Sequence, residues 1–129
     1  MTSVSKEGMF DFLLKEIVYV LKDNDIPYYL DCGTLLGCIR EKGFIEHDTD
    51  VDVATHVSFW DDLTKIDWEK YNLVKTREVG IKQSGGFLMS VKTKYSSYYC
   101  DIYANPPMPL LTKRKLCGRY YPIPVEPEL

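Results

Sequence analysis

Three aspartates stand at alternate positions in the stretch GFIEHDTDVDVA: Asp48, Asp50 and Asp52. The valines around the last two mark DVDVA as a strand that alternates polar and apolar residues and is entered from an acidic loop. On a strand, positions i and i+2 share a face, with Cα atoms about 6–7 Å apart. Asp50 and Asp52 therefore project together, and Val51 and Val53 project the other way. Two carboxylates held side by side in a partly buried place repel each other and lose hydration. A divalent cation between them relieves both penalties, and an oxygen-only ligand set suits Mg²⁺, or Mn²⁺ as its close substitute. Asp48 either joins them or stays in the loop. Taken alone, the pattern favours a solvated acidic turn or a set of helix caps.

Two other stretches add to it. In DCGTLLG, Gly33 and Thr34 follow a short strand and open a helix. That junction offers free backbone N–H groups and a hydroxyl, which suit a phosphate; a plain helix cap is the alternative. In SYYCDIYA, Asp101 sits in a strand otherwise fit for burial. A carboxylate there needs a partner, either as a third metal ligand beside Asp50 and Asp52 or in a salt bridge with Arg40 or Lys92. A phosphate loop, a DxD strand and a third aspartate are together the equipment of metal-assisted phosphoryl or nucleotidyl transfer.

The elements that must position these groups are legible to different degrees. Phe10, Leu13, Leu14, Ile17, Val18 and Leu21 recur with helical period, which predicts a helix over 6–23 with Ser5 as N-cap, stopped before Pro27. PYYLD reads as a strand and CGTLLGCIR as a helix in which Gly37 either weakens the element or permits close packing. EKGF reads as a turn, and residues 58–69 as a helix with Phe59, Leu63 and Ile66 inward. YNLVKTREV and FLMSVKTK pair through a KQSGG turn, SYYCDIYA is a further strand, and the proline-rich tail carries a small hairpin around Gly118. The order of elements gives an α+β domain built on a mixed or antiparallel sheet flanked by helices.

The chain has 129 residues and a net charge of −3, with 45% hydrophobic residues. That fits one globular domain without the basic face that general nucleic-acid binding requires. No run approaches the ~18 apolar residues of a membrane span, and the N-terminus does not read as a signal peptide, so the expected location is cytoplasmic. Cys32, Cys38, Cys100 and Cys117 lack the paired spacing of a zinc site and read as reduced, mostly buried residues. His47 and His56 read as surface or loop residues. Lys113, Arg114, Lys115 and Arg119 form a basic cluster, either a solvated face or a phosphate contact.

The stretch YYLDCGTLLGCIREKGFIEHDTDVDVA resembles the signature of the LicD family, which includes the fukutin-like proteins. CDIY resembles the family's second short motif, and GRYYPIPVEPEL its apolar-Pro segment near the C-terminal end. The resemblance implies a nucleotidyltransferase-like fold of the polymerase-β type. It implies transfer of a phospho-alcohol group from a CDP-activated donor, such as CDP-choline or CDP-ribitol, to a glycan hydroxyl, with release of CMP. Asp50, Asp52 and Asp101 fall on the catalytic, metal-binding carboxylates, Gly33 and Thr34 on the phosphate loop, and Arg40 on the family's Arg after that helix. Among the three aspartates, Asp101 is the one assigned to accept the acceptor's proton. His47 stands where the family commonly has Trp, and Thr49 where it often has Asp. Family domains usually continue past the Pro-rich segment, so 1–129 reads as a single domain that is minimal or lacks the C-terminal part. Transfer of an NMP group by another small nucleotidyltransferase, or ligand binding without turnover, are the rival expectations.

Overall fold

The computed structural model describes residues 5–46 and 48–127. Helix α1 (Lys6–Asp23) forms where the apolar stripe predicts it, and every residue of that stripe is buried. The Ser5 hydroxyl accepts the Gly8 N–H at 3.0 Å, satisfying one of the free donors of the first turn. The helix stops before the proline acts. Asp25 takes a left-handed φ of 56°, and Ile26 N–H turns back to the Leu21 carbonyl at 2.8 Å.

After α1 come strand β1 (Tyr29–Leu30) and helix α2 (Cys32–Leu36), which widens into a π-helical turn over Gly37–Glu41. Gly37 is a close-packing residue, since a Cβ there would run into the Gly43 carbonyl. Strand β2 (Asp50–His56) leads through a 3₁₀ turn (Val57–Phe59) into α3 (Trp60–Thr64), and a second 3₁₀ turn follows at Trp68–Tyr71. The single helix expected over 58–69 is thus two short pieces. Leu63 and Trp68 are both buried, yet five residues carry the chain roughly 140° around a helix. One continuous helix would turn Trp68 away from the core that Leu63 enters, so the chain breaks between them. Trp60 stacks on Phe87 with ring centroids 4.8 Å apart.

Strands β3 (Leu73–Ile81), β4 (Gly86–Thr93) and β5 (Tyr99–Asn105) complete a five-stranded sheet of order β1-β2-β5-β4-β3. Only the β2–β5 pair is parallel; the other neighbours run antiparallel. The fold is therefore α+β with a mixed sheet. A separate hairpin, β6 (Leu111–Leu116) and β7 (Arg119–Pro124), turns at Cys117 and Gly118, whose φ values are 48° and 83°. Two successive positive φ angles are the signature of a turn whose twist matches the strands.

Alternation divides the central strands. Val51 and Val53 of β2, Cys100 and Ile102 of β5, and Met89 and Val91 of β4 enter one core with α1. The opposite face carries Asp50, Asp52, Asp101 and Ser90. Phe10 anchors the core, fully buried and edge-on to Phe44 and Tyr98 at centroid distances of 5.5 and 5.1 Å. Phe10→Ala should cost about 3–5 kcal/mol of stability, read from urea denaturation.

Candidate functional site

Register builds the site. In the parallel pair, Asp52 lies directly across from Asp101 and Asp50 across from Tyr99. Asp101 is in turn opposite Ser90 on β4, and Ser90 opposite Arg77 on β3. Four side chains thus form a row across four strands on one face. Asp50, Asp52 and Asp101 converge so that a carboxylate oxygen from each lies within 4.8 Å of the others. Asp52 and Asp101 are 4% and 5% exposed, and Asp50 is half-buried.

Such crowding holds protons. Burial, then the neighbouring Asp50, Asp101 and Asp48, push the Asp52 carboxyl up to about 9. Burial also raises Asp101, against the Ser90 hydroxyl that donates to its Oδ1 at 2.6 Å and the Arg77 guanidinium 3.8 Å away. Three hard oxygen donors, two of them buried, with the partly exposed Arg77 guanidinium facing them, could hold a metal ion.

The surroundings fix this geometry. The buried Thr34 hydroxyl accepts the Asp52 N–H at 2.8 Å, docking α2 onto β2 at the site itself. It is buried against the Asp52 backbone rather than open at the surface. Asp31 N–H bonds the Asp52 carbonyl at 3.2 Å. Asp48 stays in the loop and lies against Gly33, where an added Cβ would meet its Oδ2 at 2.5 Å. Arg40 is exposed on the π-helical turn, and among the described residues it forms no ion pair with Glu41 or Glu46. His47 lies outside the described residues.

Several neighbours were not expected from the sequence. Arg77, not Arg40 or Lys92, pairs with Asp101. Ser90 follows only from strand register. Cys32 is exposed rather than buried; partial desolvation with the charges of Asp31, Asp52 and Asp50 raises its thiol to about 12, which marks it as a neighbour of the carboxylates. All four cysteines are free thiols. Tyr103, two residues beyond Asp101 on the same face, is raised by burial and by the charges of Cys32 and the three aspartates. A cleft of about 350 Å³ opens beside Asp31, lined by Tyr29, Leu35, Pro107, Pro109, Pro124 and Glu126.

The model of the LicD/FKTN/FKRP nucleotidyltransferase domain matches residues 25–107, more than half of the chain. The chain belongs to the LicD family. It is also similar to uncharacterized proteins of Rickettsia prowazekii (strain Madrid E) and Rickettsia typhi (strain ATCC VR-144 / Wilmington), each 42% identical over 42 residues, or 33% of this chain. The match spans only 16% and 14% of those curated relatives' own lengths. Among the described residues no helix is long and apolar enough to cross a membrane.

The raised Asp52 carboxyl gives a pH dependence with a definite sign. Its folded-state value lies above its ordinary 3.8, at about 9. Across that window the folded protein keeps a proton that the unfolded chain has released, so stability falls as pH rises. In chelator, the melting temperature should drop between pH 5 and pH 8, and Asp52→Asn should flatten the drop. Added Mn²⁺ should raise the melting temperature more at pH 8 than at pH 5, because the cation competes with protons; no shift at pH 8 would count against a cation site. Thr34→Val leaves the buried Asp52 N–H without its acceptor and should cost about 1–3 kcal/mol, with weaker Mn²⁺ binding by calorimetry.

Proposed function

We propose that the protein is a metal-dependent phosphotransferase. It moves a phospho-alcohol group, of phosphocholine or alditol-phosphate type, from a CDP-activated donor to a glycan hydroxyl and releases CMP. The observation that carries this reading is the convergence of Asp50, Asp52 and Asp101 in a chain of the LicD family. The DxD strand with a third aspartate on its parallel neighbour also supports a polymerase-β-type nucleotidyltransferase fold.

The three carboxylates would hold Mg²⁺ or Mn²⁺, which would supply charge neutralisation at the transferring phosphoryl group. The backbone at Gly33 and the Arg40 guanidinium are assigned to the donor's phosphates. Thr34 acts through Asp52, whose N–H it holds. The cleft beside Asp31 is of a size that small ligands occupy. Asp101, with its raised proton affinity, is assigned to take the acceptor hydroxyl's proton as the new O–P bond forms and the bond to CMP breaks.

The test is CMP release from CDP-choline and CDP-ribitol with a glycan acceptor. Asp50→Asn and Asp52→Asn should each lower the rate by two or more orders of magnitude, the scale of several kcal/mol of lost charge stabilisation. Unchanged turnover would sink the proposal. The family's description as a nucleotidyltransferase domain favours a second reading, transfer of an NMP group. Labelled cytidine separates the two: it leaves as CMP in the first and stays on the acceptor in the second.

A further inference from the structure

The row of paired residues does not end at the carboxylates. It continues through Ser90 to Arg77 on the edge strand β3. Strands lie about 4.8 Å apart, so the Arg77 backbone is roughly 14 Å from that of Asp52. Its side chain nonetheless reaches back over β4 to within 3.8 Å of Asp101 Oδ1. An irregularity makes this possible. Lys75 pairs with Val91 and Arg77 with the next residue, Ser90, leaving Thr76 as an extra residue in β3. The Thr76 hydroxyl donates to the Ser90 carbonyl at 3.2 Å and pins the bulge. In a regular ladder Thr76 would oppose Ser90, and Arg77 would oppose Met89 on the core face. The bulge turns an arginine onto the acidic face.

Stability does not account for the contact. Arg77 is half exposed, and 3.8 Å is too long for a fork of hydrogen bonds. Lys92, on the same face, is turned aside with its Nζ donating to the Thr93 carbonyl at 3.2 Å. A cation on the carboxylates would repel the guanidinium and end its attraction to Asp101, leaving a planar, long-reaching donor at the rim of the site. That group matches the paired oxygens of a diphosphate.

Resting on the reading that a nucleotide donor binds at the three aspartates, we infer that Arg77 binds the donor's diphosphate from the β3 side, releasing Asp101 when the cation enters. This assigns a phosphate contact to the flank opposite α2, so the diphosphate lies across the row and not at one end of it.

Calorimetry on the full chain, with Mn²⁺ alone and then with CDP in saturating Mn²⁺, tests this. Arg77→Ala should bind Mn²⁺ as tightly as the wild type or more tightly, because a competing positive charge is gone. Its CDP affinity should fall at least about tenfold, the scale of one charge-assisted contact. Arg77→Lys should recover part of the loss, keeping the charge but not the fork. Unchanged CDP affinity in Arg77→Ala, while Asp52→Asn abolishes binding, would overturn the inference and leave the parent reading standing. Weaker binding of both Mn²⁺ and CDP, with a lower melting temperature, would reduce Arg77 to a structural role and also overturn it. Failure of the wild type to bind CDP in Mn²⁺ would remove the nucleotide reading and this inference together.

Discussion

Parallel pairing in register, between β2 and β5, is the constraint on which this molecule turns. Directly paired residues of neighbouring strands point to the same face. The register that sets Val53 beside Ile102 in the core also sets Asp52 beside Asp101 on the other face. The protein cannot bury one pair without forcing the other together. Two carboxylates at that spacing repel, and the parallel register cannot slip by one residue without turning the valines to the acidic side. Hydrophobic burial on one face therefore holds an electrostatically unfavourable cluster on the other.

What surrounds the cluster limits its freedom to relax. The Asp52 backbone is fixed on both sides, its N–H to the Thr34 hydroxyl and its carbonyl to the Asp31 N–H. Asp101 is fixed by Ser90. The loop carboxylate of Asp48 presses against Gly33 and adds its charge to the Asp52 environment. Rigid placement of like charges is the usual condition of a site prepared for a cation or for proton transfer.

The sequence made some of this legible and some not, for physical reasons. Helix α1 was readable because its stripe and its cap are local properties. The shared face of Asp50 and Asp52 followed from strand alternation alone, and Asp101 stood out as a charge in an apolar strand. Its partner did not, because Arg77 arrives through a bulge, and a bulge depends on which residues pair across strands. Ser90 was hidden for the same reason. The break between Leu63 and Trp68 was missed because periodicity describes one helix face and Trp68 packs on another. Thr34 could be placed beside the site, but its bond to the Asp52 backbone could not be read, since its orientation depends on how α2 docks on β2.

The two edges of the sheet also differ in how they meet solvent. β1 is only two residues long, too short to template another strand. β3 is nine residues long and largely exposed, and carries Lys75, Arg77 and Glu78 in its middle. A flat strand of that length would invite pairing with a second molecule. The bulge at Thr76 interrupts its ladder where those charges cluster, and a bulge both twists an edge and breaks its row of free backbone groups. The irregularity that aims an arginine at the carboxylates thus also makes the longest open edge of the sheet a poorer template for another strand.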